Sequence, residues 1–462
     1  MTEPHLDIAA PADSDDEDQA RASLVRDVNA ALEADDKTRV DELVGELSTP
    51  DLADLLELLS ADDRVRLIEA VGKKFDFEVL SELDETVRDQ LSEALPNELL
   101  AEAVKELDSD DAAYLLENLE DADKQEILAQ LPTSDRAALE RNLEYPEETA
   151  GRLMQAHFVA VAPFWTVGQV IDYMRDTEDL PDTFSEIFVV DPSYRVLGAV
   201  ELSRLLRTKR DVRVDTLMNE DRYLVLATED QEEVARQFRR YDLMSAPVVD
   251  ENQRLVGVVT VDDVVDIIQD EAEEDMKALA GVGDETLADS VYWTSRSRVP
   301  WLIVNLGTAI LASFVIQMFD ATIEQMVSLA VLMPIVASMG GNAGTQTMTV
   351  TVRALATNKL GRVNAPRVIG REFLVGIVNG VILSVIMAAV AFVWFGSGKL
   401  GMVIAVAMVI NLIAAALAGI LIPLIMDHFD LDPAPASGVF VTTVTDVVGF
   451  FAFLGLAALW LL

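Results

Sequence analysis

Five long apolar runs in the C-terminal part of this 462-residue chain constrain its fold more than any other feature. A helix needs about 20 apolar residues to cross the hydrocarbon core of a bilayer, and each run reaches that length. We therefore predict a five-span α-helical membrane domain over residues 299–462. The predicted spans are about 299–319, 326–350, 372–395, 400–426 and 436–462.

Basic residues set the expected orientation of these spans. Arg296 and Arg298 precede the first span, whereas Lys399 is the only basic residue in the short loops 320–325 and 396–399. Five more lie between the second and third spans: Arg353, Lys359, Arg362, Arg367 and Arg371. Since basic residues favour the cytoplasmic side, we expect a multi-pass protein of the cell (inner) membrane, with cytoplasmic N-terminal domains and the C-terminus outside.

The rest of the chain is strongly acidic. Residues 299–462 contain six basic and seven acidic residues, so residues 1–298 carry −44 of the net charge of −45. This charge argues against a nucleic-acid partner, because phosphates would be repelled. It fits either cationic partners or a salty habitat in which acidic surfaces keep proteins soluble. The absence of cysteine and the scattered positions of the three histidines argue against thiolate or zinc chemistry.

Asp446 is the only ionisable side chain well inside a predicted span. A carboxylate in hydrocarbon costs several kcal/mol and is a functional candidate by default. Thr442, Thr443 and Gly449 share its helical face, and Gly438 lies two turns back. A packing seam in which threonines hydrogen-bond Asp446 is the simpler alternative. We favour a water-lined path for a cation.

The second predicted span changes character at "MGGNAGTQT". Gly340 and Gly344 have the GxxxG spacing of closely packed helices, while Asn342 and its neighbours add neutral oxygens and amides. A hydrated Mg²⁺ keeps its waters and prefers oxygen ligands. Together with Asp446, this segment predicts a lining for a hydrated hard cation.

The cytoplasmic part contains a duplicated module. At a constant offset, "FVVDPSYRVLGAV" (188–200) recurs as "PVVDENQRLVGVV" (247–259). Each copy predicts a strand, a turn, a strand and a helix, and the pair resembles tandem CBS domains over residues 150–268. In that family the pattern of Gly257, Thr260 and Asp263 often marks an adenine-nucleotide site, so ATP is a possible ligand of the pair. Ordinary strand-to-helix capping is the alternative.

Apolar residues at helical spacing predict an all-α domain of helical hairpins over residues 23–149. We expect the acidic residues 1–22 to form a disordered tail and residues 269–298 to form an acidic connecting helix. The predicted fold is thus multi-domain: an all-α helical domain, an α/β CBS pair, a connecting helix and the membrane domain.

Three motifs together resemble the MgtE-type magnesium transporters over essentially the full ordered length. They are "YPEETAGRLM" (145–154), "MPIVASMGGNAGTQ" (333–346) and "DLDPAPASGVFVTTVTDVVGFF" (430–451). The resemblance implies a homodimeric, Mg²⁺-selective, channel-like protein with a pore on the dimer axis, lined by the second and fifth spans. It implies no enzyme, and the sequence has no P-loop, nucleophile elbow or metal triad.

The resemblance also implies roles for particular residues. Asp446 would be the central carboxylate that contacts hydrated Mg²⁺, with the Thr442 backbone oxygen beside it. Asn342 would help to set selectivity, and Asp432 would lie near the cytoplasmic mouth. Gly438 stands where the resemblance leads us to expect a selectivity asparagine, which leaves discrimination against Ca²⁺ or Co²⁺ open.

We hypothesise that the acidic domains sense cytoplasmic Mg²⁺. At low Mg²⁺ their carboxylates repel one another, and at high Mg²⁺ bridging ions favour a closed arrangement of the connecting helices. The candidate sensor residues are Asp262, Asp263, Asp266, Glu271, Glu274 and Asp275, with Asp110 and Asp111 as weaker candidates. The competing hypotheses are a transporter of another divalent cation and a membrane-anchored nucleotide sensor.

Overall fold

The computed structural model describes residues 14–177, 180–181, 183–283, 285, 291–357, 359–361, 363–429 and 431–461. The chain divides into two compact units, Met1–Asp270 and Glu271–Leu462. Of the tail predicted to be disordered, residues 1–13 lie outside the described residues. For residues 14–22 that prediction is wrong, because helix α1 already begins at Ser14.

The N-terminal part of the first unit is all α-helical, as predicted. Serine side chains cap two of its described helices: Ser48 accepts a hydrogen bond from the backbone of Asp51, and Ser60 from that of Asp63. The helices are α1 (Ser14–Glu33), α2 (Lys37–Val44), α3 (Thr49–Leu58), α4 (Ala61–Val71), α5 (Glu85–Ala94), α6 (Asn97–Glu106), α7 (Ser109–Glu117), α8 (Asp121–Leu128) and α9 (Thr133–Glu144). Two 3₁₀ turns, Gly72–Lys74 and Phe77–Leu80, connect α4 to α5.

The duplicated module follows in the same unit, and its repeat is confirmed. Each copy contains a three-stranded sheet, β1-β2-β3 and β4-β5-β6. Val189 pairs with Gly198 in the first sheet as Val248 pairs with Gly257 in the second. The elements are α10 (Ala150–Leu153), β1 (Ala160–Val161), α11 (Val167–Asp176), β2 (Glu186–Val190), β3 (Val196–Glu201), α12 (Leu202–Leu206), β4 (Val225–Leu226), α13 (Gln231–Tyr241), β5 (Ser245–Val249), β6 (Leu255–Thr260) and α14 (Val261–Ala280).

The connecting segment differs from the predicted helix over residues 269–298. No glycine or proline interrupts the sequence after β6, so α14 continues to Ala280. It ends at Gly281, whose φ of +72° suits a residue without a side chain. Residues 291–298 belong to the next helix, while residues 284 and 286–290 lie outside the described residues.

Long helices form the second unit, joined by one short helix. They are α15 (Val291–Gln317), α16 (Asp320–Gln325), α17 (Ser328–Ala356), α18 (Ala365–Phe395), α19 (Gly398–His428) and α20 (Pro433–Trp460). By length and composition, α15, α18, α19 and α20 are apolar enough to cross a membrane. The helix α17 is also long enough, but its polar residues lower its apolar character, so the fifth span stays a prediction. The largely buried α19 packs against α17, α18 and α20.

Candidate ion pathway and regulatory carboxylates

The glycine face of α17 packs against the two neighbouring helices α19 and α20. A Cβ atom on Gly340 would lie 2.2 Å from Nδ2 of Asn411, and one on Gly344 would lie 2.5 Å from Cγ1 of Val441. Any larger residue would force these helices apart. The close packing predicted from the GxxxG spacing is therefore confirmed.

The other face of α17 is polar and uncovered in a single chain. Asn342, Thr345, Gln346 and Thr349 are exposed, although the helix lies among apolar helices. Among the described residues, the side chains of Asn342 and Gln346 find no hydrogen-bond partner. Neutral donors and acceptors thus follow one another along this face.

The helix α20 presents a second polar face, with Thr442 exposed and Asp446 half-buried. Gly449 shares the angular position of Thr442 to within about 20°, as its spacing predicts. Further along the helix, however, this side is covered: Gly449 is buried, and its Cβ would lie 2.8 Å from Nδ2 of Asn411. Gly438 has free space, since the nearest atom to its Cβ position is Cε of Met348 at 3.9 Å.

The threonines do not serve as partners of Asp446. The Oγ1 of Thr442 donates to the carbonyl oxygen of Gly438 at 2.9 Å, and that of Thr443 to Val439 at 2.7 Å. Asp446 makes no hydrogen bond or ion pair within the described part of the chain. The packing seam with threonines bonded to Asp446 is therefore not observed.

The hydrogen bonds within α20 determine which oxygen atoms on its open side remain available as acceptors. A hydroxyl that donates to its own helix keeps its oxygen lone pairs free as acceptors. The Thr442 carbonyl oxygen, implied above as an ion contact, already accepts the Oγ1 of Thr445 at 2.9 Å. The Thr442 hydroxyl oxygen is the acceptor that remains beside Asp446.

Asp432 and Asp275 lie near each other at one end of the membrane unit. Asp432 caps α20 by accepting a hydrogen bond from the backbone N–H of Ala434 at 2.9 Å. Partial burial, and then the charge of Asp432, raise the pKa of Asp275 on α14. Ala278 and Leu279, one turn further along α14, pack against a cluster formed by Met348, Val352, Ala418, Ala434 and Val441.

A second group of carboxylates lies inside the first unit, between α7 and the start of α14. Asp110 is almost fully buried, and its Oδ1 atom finds no hydrogen-bond partner among the described residues. Asp111 lies beside it, and Asp263 accepts hydrogen bonds from the Thr260 hydroxyl and from Gln155 Nε2. From the sequence alone, Asp110 and Asp111 are the weaker sensor candidates.

Burial and mutual repulsion raise the pKa values of this cluster. Burial first, and then the charges of Asp263 and Asp111, raise the pKa of Asp110 well above its ordinary value. Burial and Asp263 raise the pKa of Asp111 to about 7, and burial raises that of Asp263 to about 6. The pKa of Asp266 is also raised, by burial and then by Glu82 and Asp262.

These carboxylates do not form a ready metal site. Within the described residues, no group of three or more His, Asp or Glu side chains is arranged closely enough to hold an ion. The buried, unpartnered Oδ1 of Asp110 nevertheless fits an oxygen ligand of Mg²⁺. Glu271 and Glu274 follow on α14 in the other unit, and their sensing role stays a prediction.

The predicted nucleotide site is filled by the chain itself. A Cβ atom on Gly257 would lie 2.6 Å from the side chain of Met154. Thr260 and Asp263 are engaged with each other and with Gln155. The neighbouring aspartates of α7 would also repel phosphates. This conformation therefore does not favour a nucleotide at Gly257, Thr260 and Asp263, and the assignment stays a prediction.

An open cleft of about 980 Å³ lies elsewhere in the pair and is lined by residues of both repeats. Tyr223 and Tyr241 stack with ring centroids 6.3 Å apart. Glu201, Asp221 and Asp242 line the cleft, whereas its one lining arginine, Arg222, is already paired with the buried Glu186. This lining has room for a nucleotide but disfavours a bare triphosphate.

Comparisons with known proteins agree with this division of the chain. Family models match the MgtE intracellular N domain at residues 25–148 and CBS domains at 150–211 and 213–270. The MgtE model, described as a divalent cation transporter, matches residues 333–456. The magnesium transporter MgtE of Bacillus subtilis is 34% identical over 314 residues, which cover 68% of this chain and 70% of that protein. This chain belongs to the MgtE family.

Further MgtE relatives extend the comparison. The magnesium transporter MgtE of Thermus thermophilus is 36% identical over 322 residues, covering 69% of this chain and 71% of that protein. A crystal structure of the cytosolic domain of the Mg²⁺ channel MgtE in complex with ATP is 34% identical. It covers 53% of this chain and 99% of that one, with a TM-score of 0.49.

Two residues of this MgtE protein were missed at the sequence level. Gln155 contacts both Thr260 and Asp263, and it was hidden because nothing in sequence joins it to a helix over a hundred residues away. Asn411 is a fully buried amide in α19. A single polar residue in a long apolar run is the signal that would have found it.

Proposed function

We propose that this MgtE-family protein conducts Mg²⁺ across the membrane along a water-filled path lined by α17 and α20. One observation carries the proposal: Asp446 is half-buried with no hydrogen bond or ion pair among the described residues, and its helix α20 packs against the glycine face of α17, beside the open polar face. A carboxylate and a row of amides facing lipid would be costly. Water and a passing cation account for both.

The chemistry of the lining suits a hydrated hard cation. Threonine oxygens such as that of Thr442 accept hydrogen bonds from the water shell, because their protons are engaged within the helix. Asp446 supplies a negative charge without displacing those waters. A single charge attracts the ion and still lets it leave, which conduction requires.

A second copy of the chain completes the path in this proposal. The polar faces of α17 and α20 are open in one chain, and two-fold pairing of identical chains would bring the two sets of Asn342 and Asp446 around a shared axis. The proposed orientation has cytoplasmic N-terminal domains and the C-terminus outside. It rests on the basic residues between α17 and α18.

We propose that the two carboxylate groups regulate this path. The helix α14 carries Asp263 at its start and Asp275 near its end, and over this length a helix behaves as a stiff rod. Mg²⁺ held by Asp110 and Asp263 would relieve their repulsion. Mg²⁺ held between Asp275 and Asp432 would keep Ala278 and Leu279 against the mouth of the path.

An adenine nucleotide at the CBS pair stays a prediction, and the open cleft lined by both repeats is the place that we propose for it. Because Glu201, Asp221 and Asp242 line that cleft, a nucleotide would enter with a divalent cation that neutralises its phosphates. ATP should therefore raise the melting temperature only when Mg²⁺ is present.

Transport of another divalent cation is the second candidate. Gly438 favours this candidate, because a glycine has no side chain that could bind the ion or its water shell selectively. The family model that matches the membrane part is described only as a divalent cation transporter.

Ion uptake into proteoliposomes tests the proposed function. We expect the wild-type chain to carry Mg²⁺ and Asp446→Asn to lose about a hundredfold of this uptake, because an amide does not supply the charge that offsets the barrier to an ion in the bilayer. The matched control is Glu324→Gln, which removes a charge from the exposed loop helix α16. Full Mg²⁺ uptake by Asp446→Asn would exclude this pathway. Faster uptake of Ca²⁺ or Co²⁺ by the wild type would favour the second candidate.

A further inference from the structure

A buried asparagine connects three helices of the membrane unit. Asn411 lies in the middle of α19, and its side chain is fully buried. Its Nδ2 atom donates to the carbonyl oxygen of Val336 in α17 at 2.8 Å, while its Oδ1 has no partner among the described residues. Burying an amide in apolar surroundings costs free energy. A leucine of similar size would avoid that cost, so the amide needs another explanation.

The amide is wedged between two glycines on different helices. A Cβ atom would lie 2.2 Å from Nδ2 of Asn411 if placed on Gly340 of α17, and 2.8 Å from the same atom if placed on Gly449 of α20. Neither glycine can gain a side chain without moving the amide. Asn411 therefore touches both helices that carry the open polar faces.

These contacts fix the rotation of each helix about its axis. Successive residues of a helix are turned by about 100°. Asn342, two residues after Gly340, therefore points away from Asn411 towards the open side. Asp446 lies three residues before Gly449 and so is turned only about 60° from it. Rotation of either helix by a fraction of a turn would redirect the groups proposed to meet the ion.

We propose that Asn411 is a positioning residue of the ion path: its amide holds α17 and α20 in the rotation that directs Asn342 and Asp446 towards the same water-filled space. The inference rests on the proposed function, since that rotation matters to transport only if these two side chains meet the ion. Asn411 itself does not touch the ion.

Uptake measurements on the full chain in proteoliposomes test this role. Asn411→Leu fills the same space without the hydrogen bond. We expect about tenfold lower Mg²⁺ uptake, together with inhibition by Ca²⁺ at about tenfold lower concentration, because a displaced lining discriminates less between hydrated ions. Uptake is normalised to monodisperse protein in size-exclusion chromatography. The control is Ser384→Ala, which removes a buried hydroxyl that bonds only within α18 and should leave both values unchanged.

A size-exchange pair adds a second measurement. Gly340→Ala alone should lose uptake, because its methyl group overlaps the Asn411 amide, and Asn411→Ala should restore part of it by making room. Wild-type uptake and Ca²⁺ inhibition in Asn411→Leu would overturn the proposal. So would lower uptake with unchanged Ca²⁺ inhibition, which means packing alone. If Asn411→Leu behaves like the wild type and Asp446→Asn also transports fully, the proposed function fails as well. If Asn411→Leu behaves like the wild type and Asp446→Asn is inactive, only the inference about Asn411 fails.

Discussion

Carboxylates occupy opposite environments in the two units of the molecule. In the membrane unit, Asp446 is half-buried, and it has no hydrogen bond or ion pair among the described residues. In the cytosolic unit, Asp110 is almost fully buried, and this burial, followed by the charges of Asp263 and Asp111, raises its pKa. The first arrangement leaves a negative charge available to a hydrated ion. In the second, the buried carboxylates repel one another unless a cation or protons neutralise them.

Under the proposed function, this difference separates ion passage in one unit from Mg²⁺ sensing in the other. A lone charge reached through water binds a divalent cation weakly, so the ion moves on. Buried carboxylates that repel one another gain most from a cation or from protons, so they respond to concentration. The same residue type can therefore conduct in one unit and regulate in the other.

Removing the charges of the buried Asp110 and Asp263 should have the largest effect of the changes considered. In the double variant Asp110→Asn/Asp263→Asn, we expect protection of the full chain from limited proteolysis to become independent of Mg²⁺, because the repulsion that the ion relieves is gone. Protection of the wild type should depend on added Mg²⁺, because its carboxylates repel one another until the ion is bound. Asp62→Asn, an exposed residue of α4, is the matched control.

If protection of the double variant depended on Mg²⁺ in the same way as that of the wild type, Mg²⁺ sensing by this cluster would be contradicted. It would also be contradicted by equal protection of the wild-type chain in NaCl of matched ionic strength. That second outcome would mean that screening of the acidic surface, rather than a bound ion, explains the response.

The cluster also predicts a pH dependence. Folding raises the pKa of Asp111 to about 7 and that of Asp263 to about 6. Their neutral forms therefore stabilise the fold at low pH, and this stabilisation is lost as pH rises through about 6 to 7. In Mg²⁺-free buffer we expect the melting temperature to fall between pH 5 and 8, and added Mg²⁺ to restore it mainly above pH 7. A decline of the same size in Asp110→Asn/Asp263→Asn would assign it to the general surface charge.

A smaller effect should sharpen the picture of the ion path. The nearest atom to a Cβ on Gly438 is Cε of Met348 at 3.9 Å, an ordinary contact distance, so the Cβ of Gly438→Asn displaces no neighbour. An amide beside the path can read the water shell of the ion, and we expect uptake of Ca²⁺ or Co²⁺ relative to Mg²⁺ to fall about threefold. Gly438→Ala adds the Cβ without the amide and serves as the control. Equal selectivity of the two variants would remove this position from the selectivity argument.

The sequence predicted the order of domains, and it singled out Asp446 as a candidate, because both follow from composition, repeats and motifs. The contacts of Met154 with Gly257 and of Gln155 with Thr260 could not be predicted from motif spacing. The burial of Gly449 was not predicted for a related reason. Helical periodicity gives the angles between residues of α20 but does not reveal which side packs against Asn411.

The role of Asp110 and Asp111 could not be ranked from the sequence either. Their raised pKa values depend on the approach of α14 to α7, a tertiary contact between segments far apart in the chain. Asn411 was overlooked because hydropathy averages a single amide into the surrounding apolar residues. Local patterns therefore identified elements and candidate charges, whereas packing decided their neighbours.

Water access to the polar face of α17 tests the central claim most directly. The chain contains no cysteine, so Thr345→Cys places a single thiol on that face and Val385→Cys places one on the apolar surface of α18, where Val385 is 65% exposed. Both variants are treated in proteoliposomes with a charged, membrane-impermeant thiol reagent. The account predicts that Thr345→Cys reacts, that Mg²⁺ slows this reaction, and that Val385→Cys stays unmodified. An unreactive Thr345→Cys, or a reaction indifferent to Mg²⁺, would contradict a water-filled ion path along α17.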